Sequence, residues 1–192
     1  MTIRILSLGL MLSLTACDAS VAGPFEPIFE NTAAGTQAGD CASWPALSAQ
    51  VVEGEYDWRL RVFNSPDCPT QAKAFEQTYD MDARFAGLWQ DLLLVDSGTG
   101  AGDHELYLVA TDSGERRAAL WYVGQPQFSE KMIHFFEPTR DAADISQCPQ
   151  SEDVLTQWAQ MGMPVMRAVE KVFDSKTGNV STGDKVSCYV MQ

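Results

Sequence analysis

The chain has 192 residues, and its 26 acidic and 13 basic side chains give a formal net charge of −13 at pH 7. With 45% apolar residues, the composition is that of a soluble globular protein, and the length suits one domain. The negative charge argues against nucleic-acid binding, because that affinity depends on lysines and arginines that neutralise phosphates.

The first 16 residues have the pattern of an export signal. Arg4 precedes an apolar stretch that is about half as long as the roughly 20 residues of a transmembrane helix. The next residues, Leu14-Thr15-Ala16-Cys17, resemble the lipobox of bacterial lipoproteins. This resemblance covers the export signal alone. It implies cleavage before Cys17, acylation of the Cys17 thiol, and a lipid-anchored protein that faces the periplasm from a bacterial cell membrane. Two or three acyl chains hold a protein firmly on a bilayer.

Residues 18–40 are rich in Ala, Gly, Thr, Asn and Pro, and they predict a flexible tether. The alternative is that residues 25–29 dock on the domain as an irregular strap. Asp18 is similar to the signal that retains enteric lipoproteins at the inner membrane, but the choice between inner and outer membrane stays open. The expected organisation is a signal peptide (1–16), a lipidated amino terminus with its tether (17–40) and a single globular domain (41–192).

Four cysteines remain beyond the lipidated one: Cys41, Cys68, Cys148 and Cys188. An even number of cysteines in an oxidising compartment predicts two structural disulfides. Three pairings are possible. Loop length slightly favours Cys41 with Cys68 and Cys148 with Cys188, because these bonds close the shorter loops.

The domain is predicted to be α+β, with an antiparallel sheet and a few packed helices. Apolar alternation predicts five strands, the second and third forming a hairpin: residues 56–62, 106–111, 118–123, 131–136 and 185–191. Helical spacing predicts three helices: residues 70–79, 151–161 and 164–173. Residues 82–95 are ambiguous, since they fit either a helix or a buried strand at 92–95.

The glycine-rich run at residues 98–102 is interpreted as a flexible loop rather than a nucleotide site. A phosphate cradle requires a helix directly after the glycines, whereas the residues that follow lead into a predicted strand. The run also lacks the lysine of a P-loop. No cofactor is therefore predicted.

Asp103, His104 and Glu105 are potential metal ligands, but consecutive residues of a strand point to opposite faces and cannot all converge. With two histidines in the chain, a three-histidine zinc site is excluded. A calcium loop beginning at residue 174 would have lysines, Lys176 and Lys185, where acids are needed. The sequence predicts no metal site.

His134 lies among apolar residues and is interpreted as a core or edge-strand histidine, because no Gly-x-Ser-x-Gly nucleophile motif accompanies it. Two carboxylate pairs could serve glycoside hydrolysis, although such pairs are common on an acidic surface: Asp80 with Asp82, and Asp141 with Asp144. Five tryptophans could stack on sugars but are interpreted mostly as core: Trp44, Trp58, Trp89, Trp121 and Trp158.

No catalytic residue is identified in the sequence. The preferred interpretation is a membrane-anchored periplasmic lipoprotein that acts as a non-enzymatic binding or envelope-accessory module. An inhibitor or immunity protein for a basic partner is one version of it, because the charge steers cationic ligands. The alternative is a hydrolase that acts on cell-envelope polymers through a carboxylate pair.

Overall fold

The computed structural model describes residues 23–25, 27–67, 73–79, 82–98 and 102–190. These residues form two antiparallel sheets and one α-helix. The expected α+β class is therefore wrong, since the described chain is mostly β.

Both sheets are built from strands that are neighbours in the sequence. The first sheet contains six strands: β1 (Gly23–Phe25), β2 (Gly35–Ala38), β3 (Cys41–Trp44), β4 (Leu47–Glu53), β5 (Trp58–Phe63) and β6 (Phe75–Tyr79). The second contains seven: β7 (Ala83–Trp89), β8 (Leu92–Ser97), β9 (His104–Ala110), β10 (Arg116–Phe128), β11 (Met132–Ala142), β12 (Val165–Asp174) and β13 (Val180–Val190). A short 3-10 helix (Ile145–Gln147) and helix α1 (Glu152–Met161) lie in the connection from β11 to β12.

Two of the predicted helices are strands. Residues 164–173 correspond to β12, whose register shifts between Val169 and Lys171. The extra residues of this bulge lie on β13, where residues 183–185 oppose the single residue Glu170. The buried residues of β12 (Val165, Ala168, Glu170 and Phe173) are spaced by two or three positions rather than strictly by two, which resembles helical spacing. Within residues 70–79, Phe75–Tyr79 forms β6; residues 70–72 lie outside the described residues.

Strand β8 has a core on each of its faces. Leu93 and Val95 pack with Leu60 and Val62 of the first sheet. The alternate residues of β8 join a second cluster that includes Phe135 and other aromatic residues of the second sheet. All six residues of β8 are buried, which explains why its sequence is a continuous apolar run rather than an alternating one.

Strand β10 connects the two halves of the second sheet. Its first part pairs with β9 through Tyr122, and its second part pairs with β11 from Val123 onward. Gly124 lies in the register shift of the β10–β11 pairing, between Val123 and Gln127, with a φ of 72°, a conformation that favours glycine. Phe128 and Ile133, beyond this point, pack in the same cluster as the β8 and β9 side chains.

The described residues of the predicted tether are folded. Phe29 is 1% exposed in the core of the second sheet. The backbone N–H of Ile28 donates to the carbonyl of Ala86 at 3.0 Å, and that of Ala33 donates to the carbonyl of Leu88 at 2.7 Å. Residues 27–33 therefore form a strap along β7, which overlaps the alternative docking segment 25–29 at residues 27–29; Phe25 lies in β1 and Glu26 lies outside the described residues.

One disulfide lies within the described residues, between Cys148 and Cys188. It ties the β11–β12 connection to β13, and the Gln150 side chain reinforces the tie by donating to the Cys188 carbonyl at 2.9 Å. Cys41 is also disulfide-bonded. Its expected partner Cys68 and the expected lipidation site Cys17 lie outside the described residues, so these two assignments stay predictions.

Candidate functional site

A fully buried carboxylate, Asp96, lies at the end of β8. The Tyr122 hydroxyl donates to its Oδ1 at 2.6 Å, and the Arg84 Nε donates to its Oδ2 at 2.7 Å. The Nδ1 of His104 lies 3.0 Å from Oδ1. The four side chains come from four consecutive strands, β7 to β10, so the Asp96 cluster joins half of the second sheet by side-chain bonds.

The Asp96 cluster is built to hold the sheet together. Burial, followed by the hydrogen bond to Asp96, raises the pKa of Tyr122, so its hydroxyl remains a donor. A buried carboxylate is tolerated only where its oxygens are paired, and here both oxygens have partners. The His104 side chain is 11% exposed, which leaves little of it available to a ligand.

A second carboxylate–histidine cluster lies nearer the surface, around Glu170 on β12. Lys185 Nζ donates to Glu170 Oε1 at 3.1 Å, and His134 Nδ1 lies 3.6 Å from the same oxygen. The Lys185 hydrogen bond holds the pKa of Glu170 below its usual value. Gly183 on β13 makes room for this carboxylate, because a Cβ at that position would overlap it.

His134 also lines an open groove of about 610 Å³ between the strap and the β10–β11 turn. Asn31 closes one end, where its Nδ2 donates to the Phe128 carbonyl at 3.3 Å. The groove walls are mainly polar, with three amides, a carboxylate, a hydroxyl and an imidazole: Asn31, Gln125, Gln127, Glu30, Ser129 and His134.

A neighbouring depression of about 590 Å³ shares Asn31, Phe128 and Ser129 with this groove. It extends to Trp89, whose Nε1 donates to the Ser129 carbonyl at 2.9 Å. The two depressions therefore adjoin each other beside the strap.

Helix α1 and its flanks form a third distinctive region, which we call the acidic connection (residues 141–166). It carries no lysine or arginine, and its four acids are all exposed: Asp141, Asp144, Glu152 and Asp153. None of the residues of α1 is buried. The apolar stripe of the helix ends at Met161, which is 46% exposed, and Ile145 nearby is 41% exposed.

Most of the candidate site residues that the sequence suggested do not lie together in the structure. His104 pairs with Asp96, while the neighbouring Glu105 accepts a hydrogen bond from the Tyr107 hydroxyl. His134 lies half-exposed on an interior strand, neither in the core nor at an edge. Within the described ranges, no group of three or more His, Cys, Asp or Glu residues could hold a metal ion.

The carboxylate pairs and the tryptophans do not form a common cleft in the described part of the chain. Asp141 and Asp144 are both exposed, Asp82 is exposed, and Asp80 lies outside the described residues. Trp44 and Trp89 are buried, Trp58 and Trp158 are partly buried, and Trp121 is 42% exposed. The tryptophans are thus mostly structural.

The sequence interpretation missed Asp96 and the groove. Asp96 had one local signal, an acid placed directly after the apolar run 92–95. The groove had none, because Asn31 and Phe128, which meet there, are 97 residues apart.

Comparisons with known proteins give no family for this chain. No protein-family model matches it, and searches of curated proteins and of solved structures found no match either. Among the residues that the structure describes, no helix is long and apolar enough to span a membrane.

Proposed function

We propose that this protein is a bacterial lipoprotein, anchored through acylated Cys17, whose β-sheet domain is a non-enzymatic binding module for a basic protein partner. An inhibitor or immunity protein is the specific form of such a module that we favour. The observation that carries the proposal is the acidic connection, which combines exposed acids with a partly exposed apolar stripe.

The acidic connection has the two physical features of a recognition surface. Its partly exposed stripe of Val154, Trp158 and Met161 offers apolar area that a partner can remove from water. The acids around it favour a cationic partner and speed its approach at low salt. The disulfide at Cys148 and the hydrogen bond of Gln150 fix the base of this surface on β13.

The alternative hydrolase finds less support in the described residues. A two-carboxylate mechanism requires a pair of acids that face each other across a cleft. In its described lining, the groove beside His134 contains one carboxylate, that of Glu30.

Anchoring is tested by Cys17→Ser in the full-length chain. We expect the variant to leave the membrane fraction or to accumulate as an unprocessed precursor. A Cys17→Ser protein that is processed normally and stays fully membrane-bound would contradict the proposal.

Partner binding is tested with the full-length protein on a panel of immobilised basic proteins, with acidic proteins of similar size as the charge control. We expect retention of at least one basic protein at low salt, falling as the Debye length shortens to about 8 Å at physiological ionic strength. The double variant Glu152→Gln with Asp153→Asn should weaken that retention.

The matched control removes two exposed acids elsewhere, with Glu53→Gln and Glu55→Gln on the first sheet and the turn after β4. It leaves retention unchanged if the acidic connection is the surface used. Equal losses in both double variants, or retention that salt does not alter, would show that this surface is not the recognition element.

A further inference from the structure

We propose that the groove beside His134 is a binding site for a neutral, hydroxyl-rich ligand, an oligosaccharide. This site is separate from the acidic connection and does not depend on a protein partner. Its volume of about 610 Å³ lies within the range of about 300–1,000 Å³ that is usual for small-molecule sites. A depression of about 590 Å³ at Trp89 adjoins it and gives room for further sugar rings.

The amide side chains of the groove define the ligand chemistry. Each amide carries both a donor and an acceptor, which matches a hydroxyl group that can be either. Gln125 and Gln127 are two residues apart on β10 and are both exposed, so they lie on the same face. Gln127 lies opposite His134 in the β10–β11 register, which brings an imidazole to the same wall.

The apolar part of the groove is complementary to the apolar C–H faces of a sugar ring. The partly buried Ile28 contributes to the lining, and the C–H faces of a pyranose ring are apolar enough to contact such a side chain. Amides together with this apolar side chain are therefore complementary to a ring with a polar edge and apolar faces.

The charges of the lining argue against an ionic ligand. Among the described residues, no lysine or arginine lines the groove, so a phosphate or sulfate would find no fixed cation there. Glu30 is the one carboxylate in this described lining, and it can accept hydrogen bonds from sugar hydroxyls.

The Glu170 carboxylate borders the imidazole of His134. Its Oε1 lies 3.6 Å from Nδ1, beyond hydrogen-bond distance, and is itself held by Lys185. His134 is 44% exposed, so part of its ring is accessible, in contrast to the ring of His104. An imidazole nitrogen can exchange a hydrogen bond with a hydroxyl of the ligand.

The test is calorimetric titration of the full-length protein, solubilised in a zwitterionic detergent that contains no sugar. The probes are a panel of neutral oligosaccharides, namely the tetramers of N-acetylglucosamine, glucose and mannose, and a neutral hexapeptide as the other extended ligand. We expect saturable binding of at least one tetrasaccharide with a Kd in the micromolar to millimolar range.

The variants Gln127→Ala and His134→Ala should each weaken this binding about tenfold, which corresponds to the loss of about one hydrogen bond. The control Gln157→Ala removes an exposed glutamine from α1 and should leave the Kd unchanged. Thermal unfolding midpoints close to the wild-type value would show that the groove variants are folded.

Three results would overturn the proposal. They are no saturable binding of any tetrasaccharide, a Kd that Gln127→Ala and His134→Ala leave unchanged, and binding of the hexapeptide alone. Failure of this test leaves the basic-partner proposal intact, because the two experiments use different surfaces and different variants.

Discussion

Each of the two histidines of the chain lies beside a carboxylate in the seven-stranded sheet, and the two clusters differ in depth. Around Asp96, the carboxylate is 1% and the histidine 11% exposed. Around Glu170, the corresponding values are 10% and 44%. The same pair of groups therefore forms an internal bond in one place and borders an open groove in the other.

The positions of their strands in the sheet explain why the two clusters differ in exposure. Asp96 lies on β8, which has a core on each face. Glu170 lies on β12 next to the edge strand β13, at a bulge in their pairing. Depth, rather than residue type, decides which cluster stabilises the fold and which is accessible to a ligand.

The largest expected effect is the loss of stability in Asp96→Ala. The substitution leaves the Tyr122 hydroxyl and the His104 ring without the Asp96 carboxylate inside the sheet, at about 1–3 kcal/mol for each buried polar group, whereas the Arg84 side chain, 57% exposed, is solvated. Urea unfolding followed by tryptophan fluorescence measures it. The control Asp91→Ala, at an exposed turn beside β8, should change the free energy of unfolding by less than about 0.5 kcal/mol. A loss below about 1 kcal/mol in Asp96→Ala would mean that the cluster does not stabilise the sheet.

Removing the Cys148–Cys188 disulfide should have the next largest effect. This bond ends on β13, which pairs with the strand that carries Glu170. The double variant Cys148→Ala with Cys188→Ala is expected to lose about 2–4 kcal/mol, because the bond closes a long loop. Hydrogen exchange should speed up in residues 143–166 and at the end of β13. Amides around Asp96 should keep their protection relative to global unfolding, and a uniform loss of protection would show that the two regions open together.

The third effect appears at alkaline pH. Burial raises the pKa of Tyr79 and of Tyr122, so above about pH 10 the unfolded chain binds fewer protons than the native one. Stability should fall there as pH rises, by about 1.4 kcal/mol per pH unit for each tyrosine. Tyr122→Phe should be less stable at neutral pH by about 1.5–3 kcal/mol. At alkaline pH its free energy of unfolding should fall less steeply than that of the wild type, by the contribution of one tyrosine, about 1.4 kcal/mol per pH unit. Equal slopes in both proteins would contradict the role given to Tyr122.

Local patterns were sufficient for part of the fold. The predicted hairpin at 106–111 and 118–123 is confirmed by β9 and β10, and the predicted strands at 56–62 and 131–136 overlap β5 and β11. The helix after Ser151 is confirmed as α1. In each of these segments the apolar period is regular, so the sequence pattern matches the local structure.

The errors arise where tertiary structure changes the period. In β12 the buried residues are spaced irregularly, by two or three positions, so the segment has the apolar spacing of a helix although it forms a strand. The strap around Phe29 is poor in large apolar residues, so composition predicts a tether, yet a single buried aromatic ring anchors it in the core.

The candidate sites were less predictable than the fold, because their members are distant in sequence. The Asp96 cluster takes one residue from each of four strands, and the groove requires the strap to meet the β10–β11 turn. The acidic connection is the exception, since residues 141–166 are contiguous and their charge can be counted directly.

The smallest expected effect is that of Lys185→Ala, which breaks the ion pair of the shallower cluster. The Lys185 side chain is 74% exposed, so solvent screens the pair and the loss should be about 0–1 kcal/mol. Because Lys185 lowers the pKa of Glu170, this contribution is present above the ordinary glutamate value and disappears as pH falls through and below it. The difference between wild type and variant should therefore shrink toward acid pH and also in about 1 M salt. The control is Lys176→Ala, which removes an exposed lysine from the β12–β13 turn. A loss above about 2 kcal/mol, or one that neither salt nor acid reduces, would place Glu170 in the same class as Asp96 and remove the distinction between the two clusters.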